Sequence, residues 1–356
     1  MKTKRFHVAD RVVLETRKKV WRGTILDSYD PEVVLLKLDS GYNIGIPESE
    51  IINAELVEPA KPSRGKKLTI QKKKGLKNVA LVISGGTISS RVDTRTGAVK
   101  PSEASDIISM CPEVSNICNI VKVVRPFMKL SGDISYREWK VLSEVIFKLL
   151  KEVDGVILTH GTDTLTYTAS ALSFFLRNLS KPIAVTYSQK SIDRPSTDAS
   201  LNLLCAAKYA TSDIAEVALI GHESMNDDYC LAMPATRTRK MHTSRRDAFK
   251  VINDLPIARI SKEEFKILRE FRARSQCETV LDNRFSEKVA LIKVHPGSDP
   301  DILKFFERKK IRGVVLETTG LGQVPTEEAR LNWLPKIRSA ISCGMTICAV
   351  AQTLYG

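Results

Sequence analysis

The chain has 356 residues, 43% of them apolar and 27% charged, with 55 Lys and Arg against 41 Asp and Glu for a formal net charge of +14. This composition excludes a disordered chain, and the length predicts one main domain with a small addition. The opening Met1–His7 has no apolar signal core and no run of about 18 apolar residues occurs, so a soluble, cytoplasmic protein is expected.

In chain order, residues 1–58 read as a small all-β domain. Val12–Leu14, Lys19–Leu26, Val33–Leu38 and Tyr42–Ile46 alternate or run apolar between turn residues such as Asp30-Pro31 and Ser40-Gly41. A small barrel closes such short strands and hides their edges. Residues 59–77 read as a basic linker, in which Pro59, Pro62, Ser63, Arg64 and Gly65 precede Lys66, Lys67, Lys72, Lys73, Lys74 and Lys77. Clustered cations permit a polyanionic partner through counterion release, and a solvated linker is the plainer reading.

From 78 to 356 the pattern becomes strand then helix, which predicts a doubly wound α/β domain with a parallel sheet covered on both faces. Strands are expected at Val79–Ile83, Gly155–Leu158, Ile183–Thr186, Val217–Ile220, Val289–Lys293, Gly313–Leu316 and Thr346–Ala351. Helices are expected over Trp139–Val153, Leu165–Leu179 and Asp198–Ala210, and from Asp299 and Thr326. Cys111, Cys118, Cys205, Cys230, Cys277, Cys343 and Cys348 form no C-x-x-C pair. They read as buried small hydrophobes, with no metal site.

Two turns stand where an apolar strand gives way to the next segment: Ser84-Gly85-Gly86-Thr87, and His160-Gly161-Thr162-Asp163-Thr164. Ligands bind at the carboxyl ends of strands in open α/β sheets, and glycines let backbone approach a ligand closely. Thr87 and Thr162 would present their hydroxyls there, which suggests covalent amide hydrolysis. A third segment, Arg237–Asp247, sets Lys240 among Arg237, Arg239, Arg245 and Arg246. Like charges favour a neutral lysine, so Lys240 could act as base for Thr162 with Asp163 as orienter; taken alone, the segment reads as a solvated or anion-binding face.

Several residues have structural readings. His160 supports its turn, and His222, His242 and His295 lack metal-ligand spacing. Asp193, Arg194 and Asp198 brace a loop that Ser196 or Thr197 caps, and Asp299 is a helix N-cap. Arg269, Arg272 and Arg274 read as a solvated face.

Together, Ser84–Ile88, His160–Thr164, Gln189–Ala199 and Arg239–Asp247 resemble the L-asparaginase-like amidohydrolases, and more closely the archaeal-type glutamyl-tRNA(Gln) amidotransferase D subunits. Leu36–Ile46 is similar to the β domain those proteins add. The resemblance implies a glutaminase that passes ammonia to a partner E subunit, which uses ATP and magnesium to convert Glu-tRNA(Gln) to Gln-tRNA(Gln), with no cofactor bound by the glutaminase itself. It implies a homodimer within a heterotetramer. Thr87, Thr162, Asp163 and Lys240 match the family's catalytic residues, and Ser131 matches a serine that contacts the substrate carboxylate.

The chain departs from that pattern at Thr94, where a lid tyrosine is usual, at Gly132-Asp133, where Glu-Asn is usual, and at Lys190, where arginine is common. The family continues beyond the strand near Ala351, so an incomplete C-terminal subdomain is expected. Other readings are a stand-alone L-asparaginase, a non-catalytic tRNA-binding protein, and a nucleotide-binding protein using Ser84–Thr87 as a phosphate loop, although the full Walker spacing is absent.

Overall fold

The computed structural model of the chain describes residues 6–8, 10–26, 28, 30–39, 43–59, 72–92, 99–101, 111–192, 194 and 196–356. Five strands, β1 (Arg11–Thr16), β2 (Val20–Leu26), β3 (Val33–Leu38), β4 (Asn43–Pro47) and β5 (Ile51–Glu58), form an antiparallel sheet in the order β4-β3-β2-β1-β5. Alternation sets the faces: Val12 and Leu14 are fully buried while Arg11 and Glu15 are exposed. Val12, Leu14, Ile25, Leu36, Ile46 and Ile51, drawn from all five strands, meet in one core. Most of the linker expected over 59–77 lies outside the described residues.

Eight strands build the central sheet, in the order Phe265–Ile267, Ala258–Ile260, Cys230–Pro234, Val217–His222, Ile183–Thr186, Gly155–Thr159, Asn78–Ile83 and Asn119–Val124. The last five run parallel and the first three join them antiparallel. Asn78–Ile83 shows why the sheet is covered twice. Val79, Leu81 and Ile83 pack with Leu204 and Cys205 of the helix Ala199–Thr211, whereas Ala80 and Val82 pack with Leu142 and Ile146 of Tyr136–Leu150 and with Leu172 of Leu165–Phe175. A strand buried on both faces reads as a continuous apolar run, which made it visible in sequence.

The structure corrects several expectations. Val289–Lys293, Gly313–Thr318 and Thr346–Ala351 do not extend the central sheet but form a separate parallel one. Its own core includes Val294, Leu303, Val314, Leu316 and Trp333. The helix expected from Thr326 begins only at Leu334, because Pro335 suits a first turn and the Asn332 side chain accepts the Leu334 N–H. The helix expected over 165–179 stops at Phe175, where Leu176–Arg177 pairs with Val280–Leu281 and Asn178 turns left-handed at φ 51°. The helix expected over 139–153 spans Tyr136–Leu150, started by a capping box between Ser135 and Glu138. The helix near Asp299 spans Ile302–Arg308, and the Asp299 side chain accepts the Asp301 N–H just before it. Cys277, Cys343 and Cys348 are exposed, unlike the other four cysteines.

Arg269 and Arg274 are not a solvated face. Arg274 donates to the Ser212, Asp154 and Ala210 carbonyls and Arg269 pairs with Glu216, so they tie the segment after Phe265–Ile267 to helix and strand ends. Among the described residues, no helix is long and apolar enough to cross a membrane.

Candidate active site

The strands Asn78–Ile83 and Gly155–Thr159 lie side by side in parallel register, so the turns that follow them emerge together. The turns touch through backbone. Gly86 has φ 84°, and a Cβ there would lie 2.5 Å from Gly161 Cα. No side chain fits at Gly86, and a Cβ at Gly161 would lie 2.7 Å from Ser131 Cβ, so both turns carry glycine here. Ser84 donates its N–H and hydroxyl to the Thr159 carbonyl, and the His160 N–H reaches the Thr186 carbonyl, locking three strand ends together.

His160 is fully buried between the Gly161 carbonyl and the Thr168 hydroxyl, each 2.8 Å away. Burial pushes its imidazole down to about 4, so it is a neutral brace for the turn. Asp198 accepts the Gln189 and Lys190 N–H groups, and the Thr197 hydroxyl accepts the Ala199 N–H, bracing the loop before the helix as expected. Asp193 and Thr94 lie outside the described residues.

Thr162 and Asp163 come next in the turn. Ser131, on a one-turn helix Ser131–Asp133, accepts the Asp163 N–H through Oγ at 3.2 Å and also lies 3.4 Å from Asp163 Oδ2. Lys240 arrives from a separate hairpin, Thr238–Lys240 paired with Phe249–Val251. Its Nζ donates to Thr162 Oγ1 and to Asp163 Oδ1, both at 2.8 Å. The Lys240 hydrogen bond holds the Asp163 carboxyl below its ordinary range, against a smaller opposing effect of burial. The Lys240 side chain is 17% exposed and that of Asp163 71%.

Thr87, Thr162, Asp163 and Ser131 all line one cavity of about 560 Å³, which also borders Lys129, Gly132 and Asp133. The structure thus brings four of the five expected site residues onto one cavity and hydrogen-bonds the fifth, Lys240, to two of them. The expected crowding of Lys240 by arginines is not what forms. Arg245 pairs with Asp247 and Arg246 with Asp227, leaving Asp163 as the ion-pair partner of Lys240. Lys129 was not legible as a site residue; it borders the cavity with its ammonium 2.6 Å from Glu138. Another cavity, of about 580 Å³, is rimmed by Arg177, Arg272 and Arg284, but two of those arginines already pair with Asp282. Among the described residues no group of three or more His, Cys, Asp or Glu is placed to hold a metal ion.

Three known families match the chain. The family described as Asparaginase, N-terminal covers residues 78–272, the Glutaminase/Asparaginase C-terminal domain covers 288–356, and the GatD N-terminal domain covers 6–57. The glutamyl-tRNA(Gln) amidotransferase D subunit of Pyrococcus horikoshii is 41% identical over 370 residues, spanning 100% of this chain and 83% of that protein. The chain belongs to the glutamyl-tRNA(Gln) amidotransferase D-subunit family. The Archaeoglobus fulgidus member is likewise 41% identical, over 97% of this chain and 81% of its own length. Beyond this family, the L-asparaginase of Thermococcus kodakarensis has a similar structure, with a TM-score of 0.68 and 28% identity over 78% of this chain and 81% of its own. L-asparaginase I from Vibrio cholerae gives 0.67 and 25%, over 79% and 82%.

Proposed function

We propose that this chain hydrolyses glutamine and supplies the ammonia for amidation of Glu-tRNA(Gln) to Gln-tRNA(Gln), acting in the cytoplasm with an E subunit that uses ATP and magnesium. The D-subunit relatives and the asparaginase-type domain support this reading, and one observation carries it to residues: Lys240 Nζ stands 2.8 Å from both Thr162 Oγ1 and Asp163 Oδ1. In this scheme Thr162 Oγ1 attacks the side-chain amide carbon of glutamine while its proton passes to Lys240 in the neutral form. The C–N bond breaks as Lys240 returns that proton to the departing nitrogen, releasing ammonia and a glutamyl ester. Water then attacks the ester with Lys240 again taking a proton, and glutamate leaves as Thr162 regains its own.

Asp163 holds Lys240 in line, Ser131 holds Asp163 and faces the substrate carboxylate, and Thr87 faces the same cavity from the neighbouring turn. Backbone N–H groups of the two turns serve the oxyanion. The chain requires no cofactor of its own for this step. The test is ammonia release from glutamine and from asparagine, by wild type and Thr162→Ala, alone and with the E subunit and Glu-tRNA(Gln). Partner-stimulated, Thr162-dependent release from glutamine is expected. Robust release from asparagine without the partner would establish a stand-alone asparaginase instead, and no release under any condition would overturn the enzymatic reading.

A further inference from the structure

The hairpin that carries Lys240 is short, with three residue pairs in its ladder, so something outside it must fix where the ammonium points. Tyr187 reaches the hairpin from the sheet. It follows the strand Ile183–Thr186 directly, beside the strand whose end delivers Thr162, and it is fully buried. Its phenol donates to the Arg246 carbonyl at 2.8 Å, and its ring lies 4.6 Å from that of Phe249. Phe249 is the residue directly opposite Lys240 in the hairpin register. The hairpin is therefore braced from below at two points, one on each side of the Met241–Ala248 link, where the Met241 N–H meets the Ala248 carbonyl at 2.6 Å.

The space for this brace comes from a neighbouring strand. A Cβ at Gly221 would stand 2.4 Å from the Tyr187 hydroxyl and from its Cε1, so the ring lies where only glycine leaves room. The far side of the Arg246 segment is held as well. The Arg246 guanidinium bonds Asp227, the Met225 carbonyl and the Ser196 carbonyl, so the carbonyl that Tyr187 reaches cannot drift away from it freely. Asp227 is in turn held by His222, which is fixed on Asn202, and the Asn202 amide donates to the Tyr187 carbonyl. The loop of contacts closes on the residue where it began.

We propose that Tyr187 is a positioning residue for Lys240, a strut that couples the sheet end bearing Thr162 to the hairpin bearing the base, with Gly221 as its seat. Its kinetic readout rests on the glutaminase reading, whereas its structural readout does not. Tyr187→Phe keeps the ring and removes only the bond to Arg246. It is expected to lower kcat for glutamine about tenfold while KM stays within twofold, since misplacing a base weakens the chemical step and leaves substrate binding alone. Rates are taken per competent site, titrated with the glutamine analogue 6-diazo-5-oxo-norleucine, so that partial unfolding is not mistaken for slow chemistry. Gly221→Ala, which pushes the ring from its seat, is expected to give the same split, and the double variant to be no worse than the poorer single one.

Hydrogen exchange over Thr238–Val251 of the full chain is the second measurement, with faster exchange in Tyr187→Phe expected there and not in Gly155–Thr159. An unchanged kcat per titrated site, a matching rise in KM, multiplying losses in the double variant, or unchanged exchange in the hairpin would each overturn the proposal. If wild type releases no ammonia, the glutaminase reading falls, and the exchange experiment still decides whether the strut exists.

Discussion

Replacing Lys240 with methionine separates catalysis from stability sharply. Methionine keeps a long apolar stem in place of the largely buried lysine chain and removes the ammonium. The lost ion pair is the 2.8 Å contact to Asp163, whose side chain is 71% exposed. The pair is open to water on its Asp163 side, where screening keeps its contribution to roughly 1 kcal/mol although the Lys240 side chain is only 17% exposed. Thermal unfolding should therefore move by no more than about 4 °C. Catalysis has no such screen to fall back on: a positioned base contributes about 10²- to 10⁴-fold, or roughly 3–5 kcal/mol of barrier, and no other lysine donates to Thr162 Oγ1 among the described residues. Lys240→Met should thus lose at least about a hundredfold in kcat, with the melting point nearly unchanged. The assay is ammonia release per mole of folded protein beside a thermal melt of the same preparation. An activity loss below about tenfold would refute the role given to Lys240, and collapse of the melting point would show that the lysine holds the fold instead.

Gly86→Ala should cost about 2–4 kcal/mol in urea unfolding and abolish glutamine hydrolysis, because a Cβ 2.5 Å from Gly161 backbone forces the two motif turns apart and strains a φ of 84°; near-wild-type stability would show that the turns do not need their contact. His160, whose buried imidazole sits at about 4 against an ordinary 6.5, gives a pH signature. Its contribution is complete above pH 6.5 and is lost as pH falls toward 4, because the unfolded chain binds the proton that the folded one refuses. The loss approaches about 3 kcal/mol at pH 4, so urea titrations at pH 7 and pH 4 should show a smaller difference for His160→Gln than for wild type, and an equal difference would place the acid sensitivity elsewhere.

The strand ends were legible because parallel strands buried on both faces leave unbroken apolar runs, and a glycine-threonine turn after such a run has few other uses. The meeting of Lys240 with Thr162 is expected on chemical grounds and matches the family's pattern, but 78 residues separate them and nothing in either segment's spacing shows that they meet. Like-charge crowding around Lys240 does not form, because the hairpin turns Arg245 and Arg246 to Asp247 and Asp227, partners that adjacency in sequence conceals. The start of the helix Tyr136–Leu150 could have been found from Ser135 and Glu138, a capping box visible as Ser-x-x-Glu. Separation of the last three strands into their own sheet has no local signal, because a strand's apolar pattern is the same in either sheet. Tyr187 was equally hidden: its meaning depends on Gly221, a residue whose value is the space it leaves.

The geometry also bears on which hydroxyl attacks. Any threonine nucleophile must shed a proton as its oxygen bonds to carbon, and the acceptor must already be within hydrogen-bond reach. Lys240 Nζ lies within that reach of Thr162 Oγ1, at 2.8 Å, and accepts the proton once it has given up its own. Among the described residues no side chain hydrogen-bonds Thr87 Oγ1, although Thr87 borders the same cavity. Under the proposed scheme Thr162 attacks and Thr87 steadies the amide or the developing oxyanion. Single-turnover trapping separates the two roles. Thr162→Ala should form no covalent adduct with the glutamine analogue, while Thr87→Ala should form it slowly, and an adduct on Thr87 would reverse the assignment.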